Sequence, residues 1–343
     1  MSLKNMQMRI AVVGAGYWGA NLVRVFHQLG VLHEVCDFNP ERLAQIAKQY
    51  PDVAMTQSYE AILNDPAVDA VVIATPAEMH FSMALGALIA GKDVYVEKPL
   101  TLRCEEAEEL IATAEMRRRV LMVGHLLEFH PAITRLNELI QSGELGRLEY
   151  IYSNRLNMGK VRREENALWS FAPHDISVIL LLLKQTPIQV AATGGTYLQP
   201  NIADVTVSTM LFQRGVRAHL FVSWLHPYKE QKLVVVSEHG MAVFDDVRKT
   251  EKLQLYDKKI GLVNGQFVAE KPAAHVVEFP ADEPLLLECK HFLECVESRQ
   301  TPKTDGRDGW RVLKVLEASQ RSLTMNGEPV QLEPMRSLAI ARG

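Results

Sequence analysis

The sequence predicts an α/β protein in two parts: a doubly wound parallel sheet, then an α+β domain with a large, mostly antiparallel sheet. Three observations predict it. Up to about residue 125, short apolar runs alternate with amphipathic helical segments. The first run leads into the glycine turn Gly14-Ala15-Gly16-Tyr17-Trp18-Gly19. Beyond residue 126, strands joined by hairpin-length turns take over. A chain of 343 residues exceeds one ordinary core, so the change of pattern divides it into 1–125 and 126–343.

The elements follow in order. A strand over 8–13 enters the glycine turn, and the next helix carries Leu22, Val25, Phe26 and Leu29 on one face. A strand over 31–36 precedes a helix with Asn39 as N-cap and Pro40 at its first position. A strand over 53–56 and a helix from Tyr59 come next, then 68–74, the continuous apolar run of a central parallel strand. A helix over 77–90 stops at Gly91, and strands at 93–96 and 120–123 flank a helix over 105–119. In the second part, a helix over 131–142 and a strand over 147–156 lead to a helix expected to start at Pro173 and end at 183. Strands are expected at 189–197, 204–212, 216–224, 232–237, 241–245 and 253–256, and helices at 284–298 and 308–323.

Composition excludes several functions. A net charge of −4 argues against a nucleic-acid or acidic-membrane surface. No apolar segment approaches the ~20 residues that span a bilayer. Residues 1–6 contain no signal-peptide core. Cys36, Cys104, Cys289 and Cys295 form no Cys-x-x-Cys pair and have no His at ligand spacing. A reduced, cytoplasmic protein without a bound metal is therefore expected.

The chemistry is concentrated in a few motifs. Gly14 allows the tight turn, Gly16 lets a pyrophosphate approach the backbone, and Gly19 permits close helix packing. Tyr17 and Trp18 complete this candidate cofactor loop. Asp37 ends the second apolar run, where a carboxylate binds the ribose hydroxyls and repels a 2′-phosphate, so NAD is expected over NADP. Thr75-Pro76 and Glu97-Lys98-Pro99 end two further strands on the ligand side of such a sheet, and His80 stands one turn beyond the first. In the second part Pro173 places His174 and Asp175 in a first helical turn, which disfavours an imidazolium and keeps His174 a neutral base.

Taken together, the fingerprint, Glu97-Lys98-Pro99, the Pro173-His174-Asp175 helix start and Asp305-Gly306-Arg307-Asp308-Gly309 resemble the Gfo/Idh/MocA oxidoreductase family, from Arg9 to about Leu323. The resemblance implies NAD(P)-dependent oxidation or reduction of a sugar, polyol or sugar-nucleotide carbon. It also implies that Lys98 contacts the reacting hydroxyl and that His174 is the acid/base. Ser170 departs from the pattern, because many members carry Asp four residues before this histidine. The cations leading to His174, namely Arg155, Lys160, Arg162 and Arg163, suit a diphosphate. This segment resembles members acting on UDP-linked amino sugars. With Trp169 and Asp175, the three arginines form the expected substrate set. The leading expectation is oxidation at C3 of a UDP-N-acetyl-hexosamine; the alternatives are a free-sugar or inositol dehydrogenase and a non-catalytic NAD-binding regulator. A homodimer or homotetramer through the second sheet is also expected.

Overall fold

The computed structural model describes residues 8–159, 161–270 and 272–333. Lys160 and the leader expectation for residues 1–6 fall outside these. The chain divides into two compact units. Among the described residues, one comprises 8–126 with Glu283–Leu313, the other Leu127–Asp282 with 314–333.

The first unit is built on β1 (Ile10–Val13), α1 (Gly19–Gln28), β2 (Leu32–Cys36), α2 (Pro40–Gln49), β3 (Ala54–Thr56), α3 (Tyr59–Asn64), β4 (Ala70–Ile73), α4 (His80–Ile89), β5 (Asp93–Glu97), α5 (Cys104–Arg117) and β6 (Leu121–Gly124). The order β3-β2-β1-β4-β5-β6 is parallel throughout, with the topological switch between β1 and β4. Ligands bind beyond the carboxyl ends of strands at such a switch. β1, β4, β5 and β6 are buried along their length, as the continuous apolar runs require. Asn39 caps α2, its side chain accepting from Glu41 and Arg42 N–H.

The second unit contains α6 (Pro131–Gln141), β7 (Leu148–Met158), α7 (Ala167–Leu183), β8 (Gln189–Gly195), β9 (Val205–Leu211), β10 (Arg217–Ser223), β11 (Leu225–Ser237), β12 (Gly240–Asp245), β13 (Leu253–Asp257), β14 (Lys259–Val263), β15 (Gln266–Glu270) and β16 (Ala274–Val276). With β17 (Val330–Gln331) they form a nine-stranded sheet, β16-β13-β12-β11-β7-β10-β9-β8-β17, and a separate β14–β15 hairpin. β10–β7 is its parallel pair among otherwise antiparallel neighbours. Burial alternates along β9 and β10, and α7 packs on the side of Ala218, Leu220 and Val222.

Three differences from expectation stand out. The helix carrying His174 begins six residues early, at Ala167 rather than Pro173. The hairpin β14–β15 was not foreseen, its apolar residues being largely exposed and hence without a buried face in the pattern. The helix α8 (Pro284–Ser298) and the start of α9 (Gly306–Thr324) rejoin the first unit, so the second domain is not the whole of 126–343. α8 packs on α1, fastened by an Arg24–Glu283 ion pair, and its Phe292 meets Tyr95 edge to face at 5.7 Å between centroids.

Candidate active site

In the first unit the glycine turn has the geometry a pyrophosphate needs. Gly14 has φ +94°, and a Cβ there would lie 2.7 Å from the Ala74 carbonyl. A Cβ on Gly19 would lie 1.9 Å from Gly14 O, so helix and turn touch through backbone alone. Gly16 is open by contrast: a Cβ would meet only the Arg42 guanidinium tip, at 4.0 Å. No side chain caps α1, which leaves its first turn to serve an anion. These features fit NAD: the loop of Gly14–Gly19 would hold its phosphates. Tyr17 is 93% exposed at the lip of this turn.

Asp37 is buried and anchored, Oδ2 accepting from Ala15 N–H at 2.7 Å and Oδ1 from Asn39 N–H at 2.8 Å. Each oxygen keeps a lone pair for a ribose hydroxyl. Arg42, not foreseen from the sequence, stands 3.7 Å from the carboxylate. Its signal was its place in the first turn after the Asn39 cap, one of many surface arginines at such positions.

Beyond β5, Glu97 accepts from Trp18 Nε1 at 2.5 Å, from Tyr95 Oη at 3.2 Å and from Lys98 N–H at 3.3 Å. The glycine turn and the Glu97-Lys98-Pro99 corner are thus joined directly. The Lys98–Pro99 peptide is cis. His80 corrects an expectation. It is buried, with Nδ1 2.7 Å from Pro99 O and Nε2 2.9 Å from Thr75 O, so it braces the two strand ends rather than facing a cofactor. A neutral ring can donate to only one of these carbonyls. Burial holds its pKa below the usual histidine range, although both carbonyls pull the other way. Thr75 Oγ1 reaches Met83 Sδ at 3.6 Å, and Pro76 follows in extended geometry.

The second unit carries the remaining candidates. Asn166, not Pro173, starts α7: its side chain accepts Trp169 N–H at 3.2 Å. Pro173 lies inside the helix, and His174 stands about two turns from the N-terminus. The helix-end argument for a neutral His174 therefore does not hold, because that field fades within the first turn. Ser170 sits one turn earlier on the His174 side of α7, and it is buried. Trp169 donates through Nε1 to Gln320 at 3.1 Å.

The expected substrate set is also corrected. Arg155 and Asp175 are both buried and face each other: Nε–Oδ2 is 2.5 Å and Nη2–Oδ1 3.2 Å, with Ser153 Oγ donating to Oδ1 at 2.6 Å. The Nε–Nη2 edge of this buried guanidinium is taken by a buried carboxylate and is not offered to a diphosphate. Arg162 pairs with Glu165 at 2.9 Å and lies 3.6 Å from Glu164, while Arg163 is exposed.

A dinucleotide-binding sheet joined to an α/β unit with a large mixed sheet defines a two-domain oxidoreductase architecture. Residues 8–125 match the model "Oxidoreductase family, NAD-binding Rossmann fold", and residues 133–243 match the Gfo/Idh/MocA C-terminal domain. The chain belongs to the Gfo/Idh/MocA oxidoreductase family, and its cofactor is NAD. It is 31% identical over 309 residues to the UDP-N-acetylglucosamine 3-dehydrogenase of Acidithiobacillus ferrooxidans, covering 90% of this chain and 95% of the relative. A solved structure of that enzyme superposes with a TM-score of 0.82 at 29% identity, covering 93% of this chain and 98% of its own. The scyllo-inositol 2-dehydrogenase (NAD(+)) of Bacillus subtilis is 26% identical over 350 residues, with 96% and 98% covered.

Proposed function

We propose that this enzyme transfers hydride between C3 of a UDP-N-acetyl-hexosamine and NAD, which when bound supplies the hydride acceptor. The observation that carries this reading is end-to-end similarity to a UDP-N-acetylglucosamine 3-dehydrogenase at 31% identity. Lys98 follows the last residue of β5, at the ligand edge of the parallel sheet, where an ammonium can stabilise a developing alkoxide. His174 takes the hydroxyl proton as general base, a contribution typically worth ~10²–10⁴-fold.

A second reading, oxidation of an inositol or free sugar, is favoured by one finding. Of the three arginines expected to bind phosphate, Arg155 is buried against Asp175 and Arg162 is paired with Glu165. Among the described residues, Arg163 is then the exposed arginine of that segment that could favour an anionic substrate. NADH formation measured on UDP-N-acetylglucosamine, free sugars and inositols separates the readings. Activity confined to inositols would reject the sugar nucleotide. Lys98→Met and His174→Ala should each lower kcat at least ~10²-fold while NAD affinity persists. Normal turnover in either variant would remove that residue from the chemistry.

A further inference from the structure

Two buried carboxyl groups, Glu97 and Glu288, lie beside the Tyr95 hydroxyl. Glu97 is 8% exposed and Glu288, on α8, is 0% exposed. Carboxylates so placed cannot both ionise, so one proton belongs to the pair. Hydrogen-bond donors decide which group holds it. Burial pushes the Glu97 carboxyl above the usual range, but it is opposed there by bonds from Trp18 Nε1, Tyr95 Oη and Lys98 N–H and by the charge of the Lys98 ammonium. Among the described residues, neither oxygen of Glu288 meets a donor in hydrogen-bond geometry; a polar group beside it is the Tyr95 hydroxyl.

We propose that Glu288 is a positioning residue that carries the proton: its carboxylic acid donates to Tyr95 Oη, Tyr95 donates to Glu97, and the negative charge stays on Glu97 beside Lys98. Every donor then points toward the corner that presents Lys98. Only the part given to Lys98 in the reaction rests on the proposed function.

The surroundings agree. Burial, then the charge of Glu97, hold Glu288 well above the usual carboxylate range. Tyr95 is likewise held far above its ordinary value by burial, so it keeps its proton to donate. Of the other ionisable groups nearby, the Cys289 thiol is pushed up by burial, and Arg24 on α1 is occupied by Glu283. On β6, a Cβ at Gly124 would lie 2.6 Å from Tyr95 Oη and 2.9 Å from Glu97 Oε1, so this strand leaves the space the chain of bonds requires.

The test uses the full-length protein and two readouts independent of substrate. Infrared spectra of the wild type at neutral pH should contain a deuterium-sensitive carboxylic-acid C=O band that Glu288→Gln removes and Glu97→Gln does not. In the fold Glu288 keeps its proton above the pH at which the unfolded chain releases it, so stability falls as pH rises above the ordinary Glu range. Glu288→Gln should therefore melt higher than wild type by a margin that grows from acid to neutral pH and vanishes at low pH. A third readout follows kinetics: kcat should fall further in Glu288→Leu, which cannot donate, than in Glu288→Gln, with KM for NAD unchanged in both. Tyr95→Phe, which interrupts the chain without touching either carboxyl, should lower kcat about tenfold. The proposal is overturned by a band that survives Glu288→Gln, by a band that disappears in Glu97→Gln, or by destabilisation of Glu288→Gln that is constant with pH.

Discussion

Removing Arg155 distinguishes a scaffold role from a substrate role. Arg155→Ala would leave the Asp175 carboxylate, itself 3% exposed, with the Ser153 hydroxyl as its hydrogen-bond partner. Breaking one side of a buried ion pair typically costs about 3–5 kcal/mol, because the surviving charge is left uncompensated. At 2–4 °C per kcal/mol for a domain of this size, the melting temperature should fall by about 6–20 °C. The pair joins β7 to α7, so the loss should spread to the helix carrying His174. Replacing both partners, as Arg155→Met with Asp175→Leu, should recover much of the stability, since no buried charge remains. Thermal melts of the three variants, with kinetics taken well below the lowest midpoint, provide the measurement. An Arg155→Ala protein that melts like wild type yet shows a raised KM for a UDP-sugar would refute the scaffold role and return Arg155 to the substrate.

Three further outcomes are expected. Gly16→Ala should fold with an unaltered melting temperature but lose NAD affinity, whereas Gly19→Ala should be destabilised, because the added Cβ meets Gly14 O at 1.9 Å; equal melts for the two would contradict the packing. Asp37→Ala should relax discrimination against NADP, and adding Arg42→Ala should weaken NADP again, as Arg42 stands 3.7 Å from that carboxylate; competitive binding of both dinucleotides measures it. Burial opposes ionisation of Asp308, but its bonds to His125 and Arg311 outweigh it and hold the carboxyl below its ordinary range. Its stabilisation is present above the unfolded carboxyl's pKa and is lost as pH falls through the folded value. An Asp308→Asn variant should therefore be less stable than wild type at neutral pH and approach it in acid melts.

The first unit was legible because its determinants are local. Continuous apolar runs such as residues 70–73 mark buried parallel strands, and each glycine of the turn answers a backbone demand visible in the spacing. Asn39 and Pro40 began α2 as their types suggest, because cap and first turn are neighbours in sequence. The same rule misled at Pro173, where a statistical preference for the first turn competed with a real cap seven residues upstream. Asn166 won because its side chain reaches Trp169 N–H, and the surrounding apolar residues of α7 are buried on most sides.

What the sequence hid is the partner of each charged or polar side chain. Arg155, Arg162 and Arg163 read alike in a row of letters, yet one is buried on Asp175, one is paired with Glu165 and one is exposed. The strand period explains the first case only afterwards: Ser153 and Arg155 point to the buried face of β7 while Asn154 does not. His80 and Glu288 were hidden for the same reason. Their partners lie 19 residues away at Pro99 and 193 away at Tyr95, and no local pattern encodes such separations. Glu288 within Leu285-Leu286-Leu287-Glu288-Cys289 resembles an ordinary helix-surface acid, but α8 returns to the parallel sheet and turns that position inward. A buried acid there can persist only if it carries a proton or finds a cation. The charge of Lys98 favours the charged form of Glu97 and Arg24 is occupied by Glu283, which leaves the proton to Glu288.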